Sequence, residues 1–265
     1  MTELEYADTP AGSLAYVRSG QGEPLLLIMG VAGHHRVWSD PFIERLSERF
    51  DVVAYDHRGI GRSVRADGAF TISELTADAA AVLDHLGWDS AHVMGHSMGG
   101  TIAQELALGH PDRVRTLTLA STWGGPGETW GPGITALAAA GNGGDPESVV
   151  RGTFAANVSP AFANAPGEFE RFFETIAAFR IPGPVVTMQM QAVAVHDALE
   201  RLRGLQTKTL VIHGTADEII VRSAGERLAV QIPGAELELL DGVGHLVNWE
   251  QPERTADLII KHALS

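Results

Sequence analysis

The chain has 265 residues, room for one large domain or two small ones at roughly 100–200 residues each. Apolar residues at 45% and charged residues at 20% are ordinary globular usage and exclude a disordered or fibrous chain. The 33 acidic against 19 basic residues leave a formal charge of −14, which argues against nucleic acid or an anionic membrane as partner; the lack of any cysteine excludes disulfides, thiolate catalysis and Cys-ligated zinc.

The acidic start, Met-Thr-Glu-Leu-Glu-Tyr-Ala-Asp, has no basic or apolar signal-peptide region, so a cytoplasmic protein is expected. Two short β-like segments follow, around Leu4–Thr9 and Leu14–Arg18. The run Leu25–Met29 is continuous rather than alternating, which predicts a strand covered on both faces, and it is far shorter than a membrane span. The same signal returns at Val52–Tyr55, Ala91–Met94, Val114–Ala120, Thr209–Ile212 and Leu237–Leu240. Between these runs lie segments of helical spacing: Ile72, Leu75, Ala79, Val82, Leu83 and Leu86 mark one helix, and Ile102, Leu106 and Leu108 another, closed by His110-Pro111. Alternation of this kind predicts an α/β fold with a mostly parallel, doubly wound sheet.

The alternation fails between Trp123 and Leu205. A glycine-rich stretch, Gly124–Gly133, leads into helical segments at Glu168–Phe179 and Val185–Leu202. The expected organisation is therefore a core of residues 1–122 and 206–265 with a helical lid, residues 123–205, inserted after the sixth strand. That insertion brings Phe154, Phe162, Phe169, Phe172, Phe173, Phe179, Met188 and Met190. Its basic residues are few: Arg151, Arg171, Arg180, Arg201 and Arg203. An uncharged hydrophobic ligand is expected beneath it, with Phe154, Phe173 and Met188, and Trp38 from the core, facing substrate.

Gly95-His-Ser97-Met-Gly99 lies between the Ala91–Met94 strand and the next helix. The G-x-S-x-G pattern is weak alone, but this context suits a serine on a sharp strand-to-helix turn, where side chains two residues away on either side would collide. An N-capping serine is the bland alternative. A serine nucleophile needs a base and an orienting carboxylate. His245 follows the last strand in Asp241-Gly-Val-Gly-His245, and Asp217, beside Glu218, follows the strand before it. Catalytic groups in open α/β sheets gather at the strands' carboxyl ends, which these loops share. His213 reads as structural, and Asp56-His-Arg58-Gly59 as a turn held by an Asp56–Arg58 pair.

Met29-Gly-Val-Ala-Gly33, Asp56–Ser63, Gly95–Gly99, the Asp217 loop and Gly244-His245 together resemble α/β-hydrolases of the lactonase and esterase type over essentially the whole chain. The closest flavours are 3-oxoadipate enol-lactonases, aclacinomycin-type methylesterases and acyl-homoserine lactonases. Met29 stands where most relatives begin the oxyanion loop with histidine. The resemblance implies an α/β-hydrolase fold, the order nucleophile Ser97, acid Asp217, base His245, and an oxyanion hole from the backbone N–H groups of Val31 and Met98. It implies a small-molecule ester or lactone as substrate and requires neither metal nor organic cofactor; no G-x-G-x-x-G or P-loop pattern supports a nucleotide. A carbon–carbon bond hydrolase or perhydrolase with the same triad, or a hydrolase-fold receptor with slow turnover, stays open at this stage.

Overall fold

A computed structural model describes residues 3–127, 129–141, 145–179 and 181–265; Arg180, counted above among the insertion's basic residues, lies outside them. All eight expected strands form: β1 Leu4–Thr9, β2 Gly12–Ser19, β3 Glu23–Ile28, β4 Phe50–Tyr55, β5 Ala91–His96, β6 Val114–Ala120, β7 Thr209–Gly214 and β8 Glu236–Leu240. They make one sheet in the order β1-β2-β4-β3-β5-β6-β7-β8, with β1–β2 and β2–β4 antiparallel and the rest parallel. The continuous apolar runs are explained by two-sided burial. Leu26 and Ile28 of β3 enter one core cluster, while Leu25 and Leu27 enter the other. Helices α2 (Ile72–His85), α3 (Met98–Gly109) and α10 (Arg222–Gln231) cover the first face; α1 (Asp40–Ser47), the short α11 (Val247–Glu250) and α12 (Pro252–Leu264) cover the second.

Local signals set the helix ends. Thr71 and Glu74 form a reciprocal capping box on α2, with Glu74 accepting the Thr71 N–H at 2.8 Å. The chain leaves β3 toward β4 on one side and returns to β5 on the other. That reversal is the crevice in which open α/β sheets bind ligands, and it brings the loop after β3 beside the turn after β5.

The segment between β6 and β7 carries helices α4 Gly133–Gly141, α5 Pro146–Asn157, α6 Pro160–Ala163, α7 Glu168–Ala177, α8 Gly183–Ala194 and α9 Leu199–Leu202. The expected single helical segment over Val185–Leu202 is thus broken. Its helix ends at Ala194, His196 turns inward beside Gln104, and the Ala198 N–H donates to the Gly124 carbonyl at 2.7 Å. Among the described residues the insertion has no core of its own. Phe154 and Phe172 (ring centroids 5.1 Å apart) and Trp249 beyond Phe172 (5.4 Å) belong to the second cluster of the sheet. Among the described residues no helix is long and apolar enough to cross a membrane.

The expected Asp56–Arg58 pair does not form. Arg58 forks onto Asp78 of α2 with two 2.7 Å hydrogen bonds, and Asp56 instead accepts the His35 backbone N–H at 2.6 Å. A planar guanidinium takes the carboxylate that offers both oxygens, and α2 presents one.

Burial pushes the imidazoles of His34, His92 and His196 down to about 4 and that of His96 to about 3. Between those values and the ordinary 6.5 the unfolded chain binds more protons than the folded one, so acidification costs stability. Each such group adds up to about 1.4 kcal/mol per pH unit within that window. The midpoint of urea unfolding is expected to fall steadily from pH 7 to pH 5; a flat profile would contradict neutral burial of these rings.

Candidate active site

Ser97 heads α3 with φ 54° and ψ −121°, a conformation that a side-chain-bearing residue adopts only under constraint. Its hydroxyl makes no capping hydrogen bond, so the N-cap alternative fails. The constraint is steric. A Cβ on Gly99 would overlap the Ile28 carbonyl oxygen, one on Gly95 would overlap the Gly99 carbonyl, and one on Gly100 would stand 2.5 Å from Thr122. Ser97 itself is only half-buried.

The loop after β3 lies against this turn, since a Cβ on Gly30 would be 2.9 Å from the Ser97 Cβ. Val31 and Ala32 are half-buried there, and Ala32 sits at φ 60°. Met98 is the first residue of α3, where a backbone N–H has no intrahelical partner and the helix dipole favours negative charge.

His245 leaves the end of β8 with its Nδ1 donating to Asp217 Oδ2 at 2.8 Å. Glu218, the neighbouring candidate, is exposed. Asp217 Oδ1 accepts the Ile219 and Ile220 N–H groups at 2.9 and 3.0 Å. His213 places Nε2 2.9 Å from the Ile220 carbonyl and 3.3 Å from Asp217 Oδ2. Burial works to raise the Asp217 carboxyl, but the His245 charge and the donors of His213 and His245 outweigh it and hold it well below the ordinary carboxylate range. An ionised carboxylate only accepts, so His245 carries its proton on Nδ1 and leaves Nε2 free as a base.

Three residues not assigned a role from sequence brace this site, and two of them, Glu250 and Gln189, tie it to the insertion. His96, inside the turn, donates from Nε2 to the His245 carbonyl at 2.9 Å, one residue from Ser97. Glu250 accepts the Gly244 N–H at 2.7 Å, the Ser159 N–H at 2.9 Å and the Ser159 hydroxyl at 2.5 Å. It thereby binds the His245 loop to the start of α6. Burial pushes its carboxyl up against the pull of those donors. From the other side, Gln189 of α8 accepts the Ala32 N–H at 2.9 Å. The signal in the sequence was a glutamine within the buried stripe Val185, Gln189, Ala192, Val193, at helical spacing.

Of the residues expected to face substrate, Phe173 and Met188 are half-buried. Trp38 and Phe154 are each 1% exposed and serve as core rings instead. Trp38 stacks on Phe42 with centroids 5.7 Å apart, and Phe154 lies among Phe162, Phe169 and Phe172, so neither keeps an open face. Among the described residues, no group of three or more His, Cys, Asp or Glu side chains is placed to hold a metal ion.

Residues 23–252 match the family model described as alpha/beta hydrolase fold. The chain is 32% identical over 270 residues to a protein of Azorhizobium caulinodans named "Putative carbamate hydrolase RutD", covering 97% of each. It is 50% identical over 102 residues to the rhodomycin D methylesterase DnrP of Streptomyces peucetius, a match covering 36% of this chain and 34% of that one. The crystal structure of a hydrolase from Pseudomonas aeruginosa superposes with a TM-score of 0.85 at 31% identity, covering 99% of both chains.

The steric reading of the turn has a direct test. Gly99→Ala is expected to lower the unfolding midpoint severely or prevent folding. Gly109→Ala, at the other end of α3 with nothing within 4 Å of its added Cβ, should be neutral or stabilise by up to about 1 kcal/mol. Equal effects of the two substitutions would remove the close approach as the cause.

Proposed function

Because this chain belongs to the α/β-hydrolase fold family, we propose that it is a serine hydrolase cleaving a small to medium, uncharged, hydrophobic carboxylic ester or lactone. The observation that carries this reading is a histidine at the end of the last strand whose Nδ1 is committed to a buried carboxylate at 2.8 Å, in a chain that holds a half-buried serine at φ 54° on its strand-to-helix turn. Nε2 of His245 takes the Ser97 proton as Oγ attacks the substrate carbonyl. The N–H groups of Val31 and Met98 hold the oxyanion, each donor being worth roughly 2.7–4 kcal/mol in such sites. His245 then protonates the leaving alcohol and activates the water that releases the acid. Asp217 keeps the imidazole in the productive tautomer and stabilises the imidazolium. The insertion roofs the site as a lid, with Phe173 and Met188 supplying apolar wall.

One neighbouring reading has its own support. The relative of full length is named a carbamate hydrolase, and a carbamate carbonyl would use the same nucleophile and oxyanion donors. The acceptor requirement is identical, so only the leaving group distinguishes the two.

Ser97→Ala should fold and lose hydrolysis to near background, and a fluorophosphonate should label Ser97 alone. Asp217→Asn should lower kcat by on the order of 10⁴, as in the type-case triad, whereas exposed Glu218→Gln should leave it almost unchanged. Near-normal turnover by the alanine variant would end the serine mechanism. Across acyl esters from acetate to decanoate, kcat/KM should rise by up to ~0.8 kcal/mol per methylene until the pocket fills. A lactone and a carbamate of matched size belong in the same series. A profile falling from acetate onward would remove the apolar roof, and a carbamate outrunning every ester would replace the ester reading.

A further inference from the structure

Helix α8 docks on the core through Val185, Gln189, Ala192 and Val193, spaced as one face of a helix. Two contacts orient that face. A Cβ on Gly59 would meet the Val185 methyls at 2.8 Å, and one turn later the Gln189 Oε1 accepts the Ala32 N–H at 2.9 Å. Three members of the stripe are apolar, and glutamine is the exception at its centre. Its side chain is wholly buried, 0% exposed.

The orientation of its amide is not ambiguous. The backbone N–H of Ala32 is a donor, so the atom facing it must be the carbonyl oxygen. The amide nitrogen is then left with two N–H donors, and among the described residues Nε2 has no partner. Leaving such donors buried and unmade costs stability. A latch for the loop alone would not need them, since any acceptor holding Ala32 would serve. The location is also specific. The two terminal atoms of an amide are roughly 2.3 Å apart, so Nε2 lies within about 5 Å of the Ala32 nitrogen, beside the loop whose previous residue is Val31.

We propose that Gln189 is a substrate-reading residue: its side-chain carbonyl fixes the Ala32 peptide, and its NH₂ donates to an acceptor oxygen that the substrate carries close to its reacting carbonyl. The inference rests on the ester-hydrolase reading and narrows it. The preferred substrate is an otherwise uncharged acyl compound bearing a second oxygen, a keto or ether group on the acyl or alcohol side, rather than a plain hydrocarbon ester. A buried pair of donors rejects the analogue lacking its acceptor more strongly than an apolar wall rejects one lacking a methylene, because the donors are then left unpaired.

Two variants separate the latch from the reader. Gln189→Glu retains an oxygen for the Ala32 N–H and loses the donors when ionised. Gln189→Met loses both functions and suits the apolar stripe, so it should fold. The probes are two matched pairs of p-nitrophenyl or alkyl esters: methoxyacetyl against butanoyl for the acyl side, and 2-methoxyethyl against butyl for the alcohol side. Each ratio of kcat/KM is normalised to the hydroxide-catalysed ratio, which removes intrinsic reactivity, and measured at pH 8. Wild type is expected to favour the acceptor-bearing member of at least one pair by about tenfold, the size of one neutral hydrogen bond. Both variants should abolish that preference, mostly through KM, by costing the acceptor-bearing member of the pair about tenfold more than its acceptor-free partner. Absence of any preference in wild type, a uniform loss on both members of each pair, or a preference retained by Gln189→Glu would overturn the proposal. Fluorophosphonate labelling of Ser97 keeps the two readings apart. Labelled wild type with no preference defeats the reader alone, whereas an unlabelled, inactive wild type defeats the ester reading beneath it.

Discussion

The carbonyl of Ile28, at the end of β3, lies so close to Gly99 that a single added carbon would overlap it. Backbone from β3, β5 and the first turn of α3 therefore meets without side chains between. The same approach sets Gly30 against Ser97 and forces Ser97 to φ 54°. A helix start pressed onto a strand end aims its unpaired N–H groups at whatever occupies the gap, and the serine hydroxyl projects from the apex of the turn. Moving α3 away by the width of one methyl group would carry Ser97 and Met98 together away from the Val31 loop. The strained backbone is thus a product of packing on every side, and its cost is spread over the β3–β5–α3 contact.

Electrostatics impose the second constraint. Asp217 is buried, which disfavours its charge, yet two backbone N–H groups, His245 and His213 surround it, and together they keep it ionised. Every lone pair of the carboxylate is directed, so the imidazole of His245 has one stable orientation rather than several. The other interior histidines work in the opposite sense. Burial keeps His34, His92, His96 and His196 neutral, so they act as hydrogen-bonding rings and not as charges near the site.

Much of this was legible from residue order. Runs such as Leu25–Met29 could only be strands covered on both faces, and their two core clusters bear that out. Asp217 rather than Glu218 turned out to face His245, because the loop after β7 folds back until its N–H groups cap that carboxylate. What failed to read was whatever depended on docking between distant segments. Arg58 found Asp78 twenty residues on instead of its neighbour Asp56, since α2 offers both oxygens of one carboxylate. Trp38 follows the Gly30–Gly33 loop and Phe154 belongs to the insertion, yet both are enclosed in space, and an aromatic residue carries no mark that tells a core ring from a pocket wall. The break of the segment after Ala194 likewise reflects a contact, Ala198 on Gly124, that local propensity does not encode.

The insertion is better understood as part of the site's frame than as a cover resting on it. Its phenylalanines share a core with the sheet, so it has little to gain by leaving. Glu250 fastens α6 to the His245 loop on one side, and Gln189 fastens α8 to the loop of Val31 on the other. The loops that carry His245 and Val31 are therefore each held by a hydrogen bond whose partner belongs to, or binds, the insertion. Substitutions in these helices should then be felt in the geometry of the reacting groups, and not only in the width of the entrance. Under the proposed function that coupling would also divide the labour of the pocket. Apolar side chains such as Phe173 and Met188 would set how much hydrocarbon can be accommodated, a graded preference. A buried polar group against the Val31–Ala32 loop would impose a near-binary one, because an unpaired donor in a dry interior has no cheaper partner to turn to.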